Sequence, residues 1–435
     1  MADLSIEFAG VKATNPFWIA SGPPSNTLYQ LNRAFEAGWG GVVWKTLGDP
    51  VLNVTNRYGG VDYSGSRTIG INNIELITDR PHEDNLREIA EAKRLWPDRA
   101  IFVSAMVAST REAWHKIIKE IQDTGADGIE MNFGCPHGMP ERGMGAAVGQ
   151  VPEYCEMITA WAKEIATVPL MIKLTPNVTN IVGPARAAVK GGASALSLIN
   201  TVVSIVGVNL DTLEIQPSIH GKGTHGGYGG PAVKPIGLYM VTTVTNDNLG
   251  VPISGIGGIE TWRDAAEYIL LGATSVQVCT GIMKHGFRIV EDMIDGLSNW
   301  MDEKGFAKVS DFIGKSASRV GTLGDLDVMY RTIAEIDYSQ CIYCNKCYIA
   351  CEDGLHQAIE LVEENGRAEP RIKEDECVGC RMCELICPTR CIKMVERDRG
   401  FGAQTWPEIV AANPGIDSDW EVMHKWRKEH NWHTR

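Results

Sequence analysis

The sequence predicts an α/β protein in which a (β/α)8 TIM barrel precedes a small cysteine-rich module. Three observations lead to this prediction. Eight short apolar runs alternate with helical stretches over residues 1–310. Two copies of a four-cysteine motif follow, between Cys341 and Cys387. The chain has 435 residues, too many for one core of ordinary size, but enough for a barrel of about 250 residues and a second, smaller domain.

The predicted strands are short and strongly apolar, as expected for a parallel sheet that is covered on both faces. They are Phe17–Ala20, Gly41–Lys45, Ile101–Met106, Asp127–Asn132, Pro169–Lys173, Ala195–Asn200, Pro252–Ser254 and Ser275–Cys279. The helical stretches include Leu86–Trp96, Glu112–Thr124, Pro152–Ala166, Gly183–Gly191 and Thr261–Leu271. Several of them end at glycine, which favours a helix C-cap. Eight strand–helix units favour a closed barrel, and a doubly wound open sheet is the alternative.

Polar and small residues gather where these strands end, and barrel enzymes carry their chemistry at that end. They are Ser21-Gly22, Lys45-Thr46, Asn132 to Cys135, Lys173, Asn200-Thr201, Gly255 to Gly258 and Cys279-Thr280-Gly281. The glycines after the seventh strand and Thr280-Gly281 after the eighth predict a phosphate cradle, although glycines also serve tight turns. No G-x-G-x-x-G opens a helix, so a mononucleotide such as FMN fits better than FAD or NAD.

Two lysines and two asparagines at strand ends suit a flat, polar ligand. Lys45 and Lys173 follow apolar strands, so we expect them to point into the barrel mouth and to neutralise charge on a reduced flavin ring. A solvated surface position is the ordinary alternative for a lysine. Asn132 and Asn200 each offer a donor and an acceptor to a ring with alternating C=O and N–H groups. Asparagine also tolerates turns, which is the competing explanation.

The loop after the fourth predicted strand, from Asn132 to Gly149, is rich in glycine, and we expect it to close on substrate as a lid. Cys135 lies at its start. A thiol with an ordinary pKa of about 8.5 can act as general acid or base when its surroundings adjust that pKa. The alternative is a small buried hydrophobic residue. The position at a strand end within a lid favours catalysis, and we assign no role to His137.

The cysteine-rich module contains two copies of Cys-x2-Cys-x2-Cys-x3-Cys. This run holds a [4Fe–4S] cluster with three thiolates and gives its fourth to the neighbouring cluster. One cluster is therefore assigned to Cys341, Cys344, Cys347 and Cys387, and the other to Cys377, Cys380, Cys383 and Cys351. Structural zinc sites and a disulfide scaffold are the alternatives, but zinc sites do not need the third and fourth cysteines at these spacings. Because Glu352 rather than proline follows Cys351, we expect the first loop to leave its cluster differently.

Composition limits the classes of partner and compartment. The formal net charge of −13 argues against a general binder of nucleic acid. The N-terminus has no signal-peptide pattern, and no apolar run is long enough to span a membrane. Eight of the 12 cysteines lie in the two motifs, and Cys135, Cys155, Cys279 and Cys391 occur singly. That distribution predicts a reducing, cytoplasmic location.

We expect four segments along the chain. They are an FMN-binding, catalytic barrel (1–310), a connector (311–335), a ferredoxin-like domain with two [4Fe–4S] clusters (336–396) and a C-terminal extension (397–435). Four of the 12 tryptophans lie in the extension: Trp406, Trp420, Trp426 and Trp432. Disordered tails are poor in aromatic residues, so we expect the extension to pack on the barrel, the cluster module or a partner. We expect one more helix and a charged connector over residues 297–336, and we expect Cys391 in a core.

Several of these segments together resemble the dihydropyrimidine dehydrogenases. The resemblance is carried by Asn132-Phe-Gly-Cys135-Pro-His-Gly-Met, Glu141-Arg-Gly-Met-Gly, Lys173-Leu-Thr-Pro-Asn177, Asn200-Thr201 and Asn72-Asn-Ile-Glu-Leu76. It extends from about Val11 to about Gly296 and resumes over the cysteine motifs to about Val395. The organisation is similar to the catalytic subunit of the bacterial two-subunit, NAD-dependent enzymes. The wider group includes the dihydroorotate dehydrogenases.

The resemblance implies roles for individual residues. FMN would contact Ser21, Lys45, Thr46, Lys173, Gly230, Ile256, Gly257, Gly258, Cys279 and Thr280. Uracil or thymine would be held by Asn73, Asn132, Asn200 and Thr201. Cys135 would exchange a proton with C5 while FMN exchanges a hydride with C6. The family usually has serine before this cysteine, and Gly134 removes that substrate hydrogen bond, a loss of about 0.5–1.5 kcal/mol that leaves the preferred pyrimidine open.

The resemblance also implies partners. Large enzymes of the family carry FAD and NAD(P) domains in the same chain, and their absence here implies a separate flavoprotein subunit with FAD and an NAD(H) site. Homodimerising barrels within a hetero-oligomer are expected. Electrons would pass from NADH through FAD and both clusters to FMN and the pyrimidine, or in reverse. The alternatives are a dihydroorotate dehydrogenase-like enzyme, a reductase of another cyclic amide, and an electron carrier whose barrel is a scaffold.

Overall fold

A computed structural model of the chain describes residues 2–49, 51, 53–63, 66–137, 143–364, 366–398, 402–413 and 429. The chain divides into two compact units, Met1–Val320 and Gly321–Arg435. Each unit has a hydrophobic core of its own. Within the described part, no helix combines the length and the apolar character that a membrane span requires.

Strands and helices alternate along the first unit. Its strands are β1 (Ile6–Phe8), β2 (Val11–Ala13), β3 (Phe17–Ile19), β4 (Gly41–Leu47), β5 (Tyr58–Tyr63), β6 (Ser66–Asn73), β7 (Ala100–Ala105), β8 (Gly128–Phe133), β9 (Leu170–Leu174), β10 (Ala195–Leu198), β11 (Val202–Ser204), β12 (Gly207–Val208), β13 (Ile215–Gln216), β14 (Gly226–Gly229), β15 (Ile253–Ile256) and β16 (Ala273–Val278). Its helices are α1 (Leu28–Ala37), α2 (His82–Leu95), α3 (Arg111–Gln122), α4 (Ala146–Gly149), α5 (Pro152–Lys163), α6 (Val182–Lys190), α7 (Lys234–Asn246), α8 (Trp262–Leu270), α9 (Thr280–His285) and α10 (Ile289–Lys304). Threonine hydroxyls cap α1, α3 and α8, because each accepts a hydrogen bond from a backbone N–H of the first turn.

Eight parallel strands close into a barrel, which confirms the predicted fold class and excludes the open sheet. The barrel strands are β3, β4, β7, β8, β9, β10, β15 and β16. Each overlaps one of the eight apolar runs, and β16 closes the barrel by pairing with β3. Almost all their residues are buried, because inward side chains fill the barrel and outward ones lie under the helices.

An aromatic cluster packs at the amino-terminal end of the barrel. Phe8, on the N-terminal hairpin β1–β2, lies 5.3 Å from Trp18 and 6.2 Å from Phe102, measured between ring centroids. A Cβ at Gly41 would lie 2.8 Å from Trp18, and one at Gly128 would lie 2.2 Å from Phe102, so the first residues of two strands make room for the rings. The polar and small residues that follow the barrel strands lie at the opposite, carboxyl-terminal end.

A second sheet borders that carboxyl-terminal end, and the sequence did not predict it. Its four strands are antiparallel in the order β11-β14-β6-β5. They belong to the segments that follow the barrel strands β4 and β10. Tyr58-Gly-Gly in β5 and Gly-Gly-Tyr-Gly in β14 lack the run of branched apolar residues that marks a strand.

Two further helices differ from the prediction. The helix expected within residues 297–336 begins earlier, at Ile289, and ends at Lys304, where Gly305 follows with a φ of 74°. Its start was missed because Arg288 offers no side-chain cap. The helix α7 was not predicted, since its polar threonines lie among apolar residues without a clear amphipathic pattern.

The second unit repeats the order of cysteine loop, helix and strand. Its strands are β17 (Thr332–Ile336), β18 (Ile359–Glu364), β19 (Arg367–Ile372) and β20 (Ile392–Glu396), and its helices are α11 (Lys346–Gly354), α12 (Met382–Ile386) and α13 (Trp406–Ala412). β17 pairs with β20, and β18 pairs with β19. Cys351 lies inside α11, which continues to Gly354, whereas Cys387 follows the end of α12. The exits differ as expected, since only Cys387 precedes a proline.

The start of the C-terminal extension packs within the second unit. Ile409 of α13 is buried against Met329, and Trp406 and Val410 lie beside it. The Val328 N–H donates to the Gln404 carbonyl at 2.9 Å. Residues 402–413 therefore dock on the segment before β17. The other tryptophans of the extension, at 420, 426 and 432, lie outside the described residues.

Candidate active site and cysteine cavities

A cleft of about 1140 Å³, including the part open to solvent, lies at the carboxyl-terminal end of the barrel. Every predicted substrate and cofactor residue of the barrel except Gly134 lines it. They are Ser21, Lys45, Thr46, Asn73, Asn132, Cys135, Lys173, Asn200, Thr201, Gly230, Ile256, Gly257, Gly258, Cys279 and Thr280. The barrel thus brings together residues that are up to 259 positions apart in the chain, from Ser21 to Thr280.

Glycines form one wall of the cleft. Gly230, Gly257 and Gly258 have φ values of 103°, 128° and 70°, a region that L side chains rarely adopt. A Cβ at Gly258 would lie 2.8 Å from the Gly230 carbonyl oxygen, so the loops after β14 and β15 approach closely. Thr280, the first residue of α9, lines the same wall. Bare backbone beside a helix N-terminus suits a phosphate group, so this wall fits the predicted cradle.

Lys45 is paired with a carboxylate that the sequence did not single out. Its Nζ lies 2.6 Å from Glu75 Oε1, and both side chains are buried. Arg57 Nη1 lies 3.1 Å from the same oxygen, and the Tyr58 hydroxyl donates to Glu75 Oε2 at 2.8 Å. Burial and the neighbouring Glu75 charge raise the pKa of Tyr58, which therefore stays a neutral donor. Glu75 and Tyr58 both line the cleft.

Lys173 is also paired with a carboxylate. Its Nζ lies 3.6 Å from Oε1 of Glu130, which is fully buried inside the barrel. Neither cleft lysine is therefore a solvated surface residue. Among the described cleft residues, His137 is the one other side chain that can carry a positive charge. Its pKa is lowered to about 4 by burial and by the adjacent His225, so its ring is neutral at pH 7.

Asn132 holds the turn that carries Cys135. Its Oδ1 accepts hydrogen bonds from the N–H groups of Gly134 and Cys135, both at 3.1 Å, and from Asn200 Nδ2 at 3.0 Å. Gly134 itself faces Asn200, since a Cβ there would lie 2.5 Å from the Asn200 Cβ. Asn73 Nδ2 donates to the Gly227 carbonyl at 3.1 Å. The asparagine amides are thus oriented by the protein at the cleft surface.

The Cys135 thiol lies in a small apolar cluster at the edge of the cleft. Ile77, Met106 and Met144 surround it, and only 6% of the residue is exposed. The Ala146 N–H donates to the Cys135 carbonyl at 3.0 Å, which ties the loop end to the cysteine. Residues 138–142 of the expected lid lie outside the described residues.

Burial raises the pKa of Cys279 to about 11 despite Lys173 and Lys45, so Cys279 is a thiol at neutral pH.

The cysteines of the second unit surround two cavities. The first, of about 320 Å³ including the part open to solvent, is lined by Cys341, Cys344, Cys347, Cys387 and Cys391. The second, of about 350 Å³ including the part open to solvent, is lined by Cys351, Cys377, Cys380 and Cys383. These sets contain the two cluster assignments made from spacing. Cysteines that line a mostly apolar cavity fit an iron–sulfur cluster at each of the two places.

Cys391 was expected only as a core residue. It is buried in the core of the second unit, and its Sγ also lies 3.5 Å from Cys387 Sγ. Although burial acts to raise the pKa of Cys387, hydrogen bonds from Thr389 and Cys391 lower it to about 7, which favours the thiolate.

Comparisons with known proteins agree with both units. The family model of dihydroorotate dehydrogenase matches residues 3–301, and the model of the 4Fe-4S dicluster domain matches residues 334–394. The chain is 41% identical to the NAD-dependent dihydropyrimidine dehydrogenase subunit PreA of Escherichia coli (strain K12), over 91% of this chain and 96% of that one. It is 42% identical to the chloroplastic dihydropyrimidine dehydrogenase (NADP(+)) of Arabidopsis thaliana, over 74% and 79%.

More distant proteins share the barrel. The catalytic subunit of dihydroorotate dehydrogenase B (NAD(+)) from Thermoplasma volcanium is 34% identical, over 73% of this chain and all of that one. The crystal structure of DHODH in complex with ferulenol from Eimeria tenella has a TM-score of 0.59 at 19% identity and covers 72% of this chain and 88% of its own. The latter similarity concerns the fold alone.

Proposed function

The chain belongs to the dihydroorotate dehydrogenase family and carries a 4Fe-4S dicluster domain, and from that premise we propose that it is the catalytic subunit of an NAD-dependent dihydropyrimidine dehydrogenase. It interconverts uracil or thymine and the 5,6-dihydropyrimidine. FMN in the cleft and two [4Fe–4S] clusters are its cofactors. The 41% identity over nearly the whole length of a chain named as a subunit of that enzyme supports both the reaction and the need for a partner.

The charges of the cleft support a neutral pyrimidine over dihydroorotate. Among the described cleft residues, Lys45 is paired with Glu75, Lys173 is paired with Glu130, and His137 is neutral. A substrate carboxylate would meet no unpaired cation and would approach the Glu75 carboxylate, which is unfavourable. A neutral ring with N–H and C=O groups matches Glu75 as an acceptor and the asparagine amides as donors and acceptors. This charge pairing is the observation that carries the choice of substrate.

The cleft residues suit FMN. Gly230, Gly257 and Gly258 leave bare backbone for its phosphate, beside Thr280 at the start of α9. Lys45 and Lys173 would bring positive charge to the flavin ring, and Ser21 Oγ and Thr46 Oγ1, which lie 3.1 Å apart in the cleft, would offer it hydroxyl groups. When bound, FMN would supply the hydride exchange with C6 of the pyrimidine. Lys45 and Lys173 favour the negative charge that accompanies reduction.

Cys135 exchanges the proton that balances this hydride. Its thiol gives a proton to C5 in the direction of reduction and regains one from solvent. The Asn132 carboxamide fixes the turn that presents it, and Ile77, Met106 and Met144 pack around the residue. A positioned general acid of this kind accelerates a reaction by about 10²–10⁴-fold.

The second unit and a partner supply the electrons. Each cavity of the second unit takes a [4Fe–4S] cluster, which passes electrons one at a time. A flavoprotein subunit with FAD exchanges them with NAD(H), and the barrels pair as homodimers within the hetero-oligomer. No disulfide joins any of the 12 cysteines, all of which lie in the described part of the chain, and we propose a cytoplasmic location.

A substrate panel on the reduced chain tests this function without the partner. The full chain is purified anaerobically, its flavin is identified and reduced with dithionite, and uracil, thymine or orotate is added. We expect uracil and thymine to restore the absorbance of oxidised flavin with formation of the dihydropyrimidine, and orotate to leave it unchanged. Reoxidation by orotate alone would identify a dihydroorotate dehydrogenase. Iron and sulfide without flavin would identify an electron carrier.

A further inference from the structure

A carboxylate lies inside the barrel, beneath the cleft. Glu130 of β8 is fully buried and is not among the residues that line the cleft. Its Oε2 accepts hydrogen bonds from Ser197 Oγ at 2.9 Å and from Gln277 Nε2 at 3.4 Å. Its Oε1 accepts no hydrogen bond from a described residue and instead faces Lys173 Nζ at 3.6 Å. Four barrel strands thus contribute one side chain each to this group.

Glu130 depends on Lys173 for its charge balance. A carboxylate without solvent is unfavourable unless a cation or hydrogen bonds compensate it. Lys173 is the one cation that the described residues place within ion-pair distance of Glu130. Lys173 and Gln277 both line the cleft, so Glu130 reaches it through two contacts. The proton and hydride transfers proposed above make no use of Glu130.

We propose that Glu130 is a positioning residue that anchors the Lys173 ammonium and lowers the reduction potential of the flavin in the cleft. The proposal rests on the proposed function only in requiring that a flavin binds there. A buried negative charge near the ring opposes the addition of electrons, and its attraction holds the ammonium back from the ring. Both effects make the bound flavin harder to reduce and its reduced form a stronger hydride donor.

The pair Lys45–Glu75 does not serve this purpose in the same way. Glu75 lines the cleft and also accepts from Tyr58, so its charge is available to the substrate. Glu130 does not line the cleft, so a pyrimidine that enters the cleft does not meet its carboxylate directly. Its contacts with the cleft residues are those with Lys173 and Gln277.

Two substitutions with opposite expected effects test the proposal in the full chain. Glu130→Gln keeps the size of the side chain and removes its charge, so the two-electron potential of the flavin should shift to a higher value. Ser197→Ala removes a hydrogen bond that compensates the carboxylate and leaves the charge in place, so the potential should shift to a lower value. Both potentials are measured by anaerobic spectrophotometric titration against a reference dye.

The matched control is Ser298→Ala. Ser298 is a buried serine of α10, its hydroxyl has no partner among the described residues, and it does not line the cleft. Its substitution should leave the potential at the wild-type value.

The outcomes separate this inference from the proposed function. Wild-type protein without flavin would contradict the proposed function. Flavin content at the wild-type level with unchanged potentials, or with shifts in the same direction for both substitutions, would overturn the role of Glu130. If Glu130→Gln does not fold, the Ser197→Ala result decides alone: a lower potential supports the role, and an unchanged or higher one overturns it.

Discussion

At the scale of single residues, the Asn200 side chain occupies the volume that a side chain at position 134 would need. A Cβ at position 134 would lie 2.5 Å from the Asn200 Cβ and 2.8 Å from its Nδ2. Asn200 in turn donates to Asn132 at 3.0 Å, and Asn132 holds the backbone of Cys135. A side chain at 134 must therefore displace an amide that we assign to the substrate, which links this glycine to the choice of pyrimidine.

Gly134→Ala should weaken substrate binding. The new Cβ displaces Asn200, and the loss of about one hydrogen bond corresponds to a KM for uracil raised about 10-fold, with a smaller change in kcat. Steady-state kinetics with a chemical electron donor measures both constants. Gly134→Ser adds a hydroxyl that can contact the substrate, so its KM should lie below that of the alanine variant. A wild-type KM for Gly134→Ala would contradict the claim that a side chain at position 134 displaces Asn200.

His137 gives the chain a defined pH dependence. Its pKa in the folded protein is lowered to about 4 from the ordinary 6.5, by burial and by His225. Between these two values the unfolded chain binds more protons than the folded one, so stability decreases as pH falls from 6.5 toward 4. His137→Gln removes this contribution, and its Tm should fall less than that of the wild type over the same window. Parallel curves of Tm against pH would show that His137 titrates normally.

At the scale of elements, the two cysteine loops use different residues for the same backbone shape. Between the first two cysteines of each motif, Tyr343 has a φ of 55° and Gly379 has a φ of 72°. A Cβ at Gly379 would lie 2.4 Å from the Thr332 carbonyl oxygen, so the second loop requires glycine. In the first loop, the Arg367 guanidinium lies 3.6 Å from the centroid of the Tyr343 ring and covers it.

Gly379→Ala should therefore prevent the second proposed cluster from binding. The clash with Thr332 moves the loop that holds Cys377 and Cys380, and iron per chain should fall by about half, because one of the two proposed clusters is lost. Gly354→Ala is the control, since a Cβ there meets nothing within 4 Å. Iron and sulfide analysis of both purified variants gives the answer. Full iron content in Gly379→Ala would contradict the requirement for glycine.

The elements divide clearly into those that sequence could and could not predict. The eight barrel strands were predictable, because each is a buried apolar run and function gathers where such runs end. The sheet β11-β14-β6-β5 was not, because its strands are rich in glycine and carry no alternating pattern. Glu75 and Tyr58 were missed for that reason: β5 carries Tyr58, and Glu75 follows β6, rather than ending a barrel strand.

At the scale of the whole molecule, the two units hold separate chemistries. The cleft residues come from the first unit, and the cavities with the cluster cysteines belong to the second. Spacing predicted eight of the nine cysteines that line the two cavities, because three cysteines in a tight loop must lie close together. It did not predict Cys391 beside Cys387, since that contact depends on the turn through Arg390, whose φ of 55° brings the chain back.

The central claim for the molecule is that Cys135 faces a pyrimidine that lies on a flavin in the cleft. The most direct measurement is a single turnover in which the dithionite-reduced full chain is mixed with uracil, and the reappearance of oxidised flavin is followed for the wild type and Cys135→Ala. We predict that the variant retains wild-type flavin content and binds uracil, but reoxidises at least about 100-fold more slowly, because it lacks the proton donor. Equal rates in the two proteins would contradict the account.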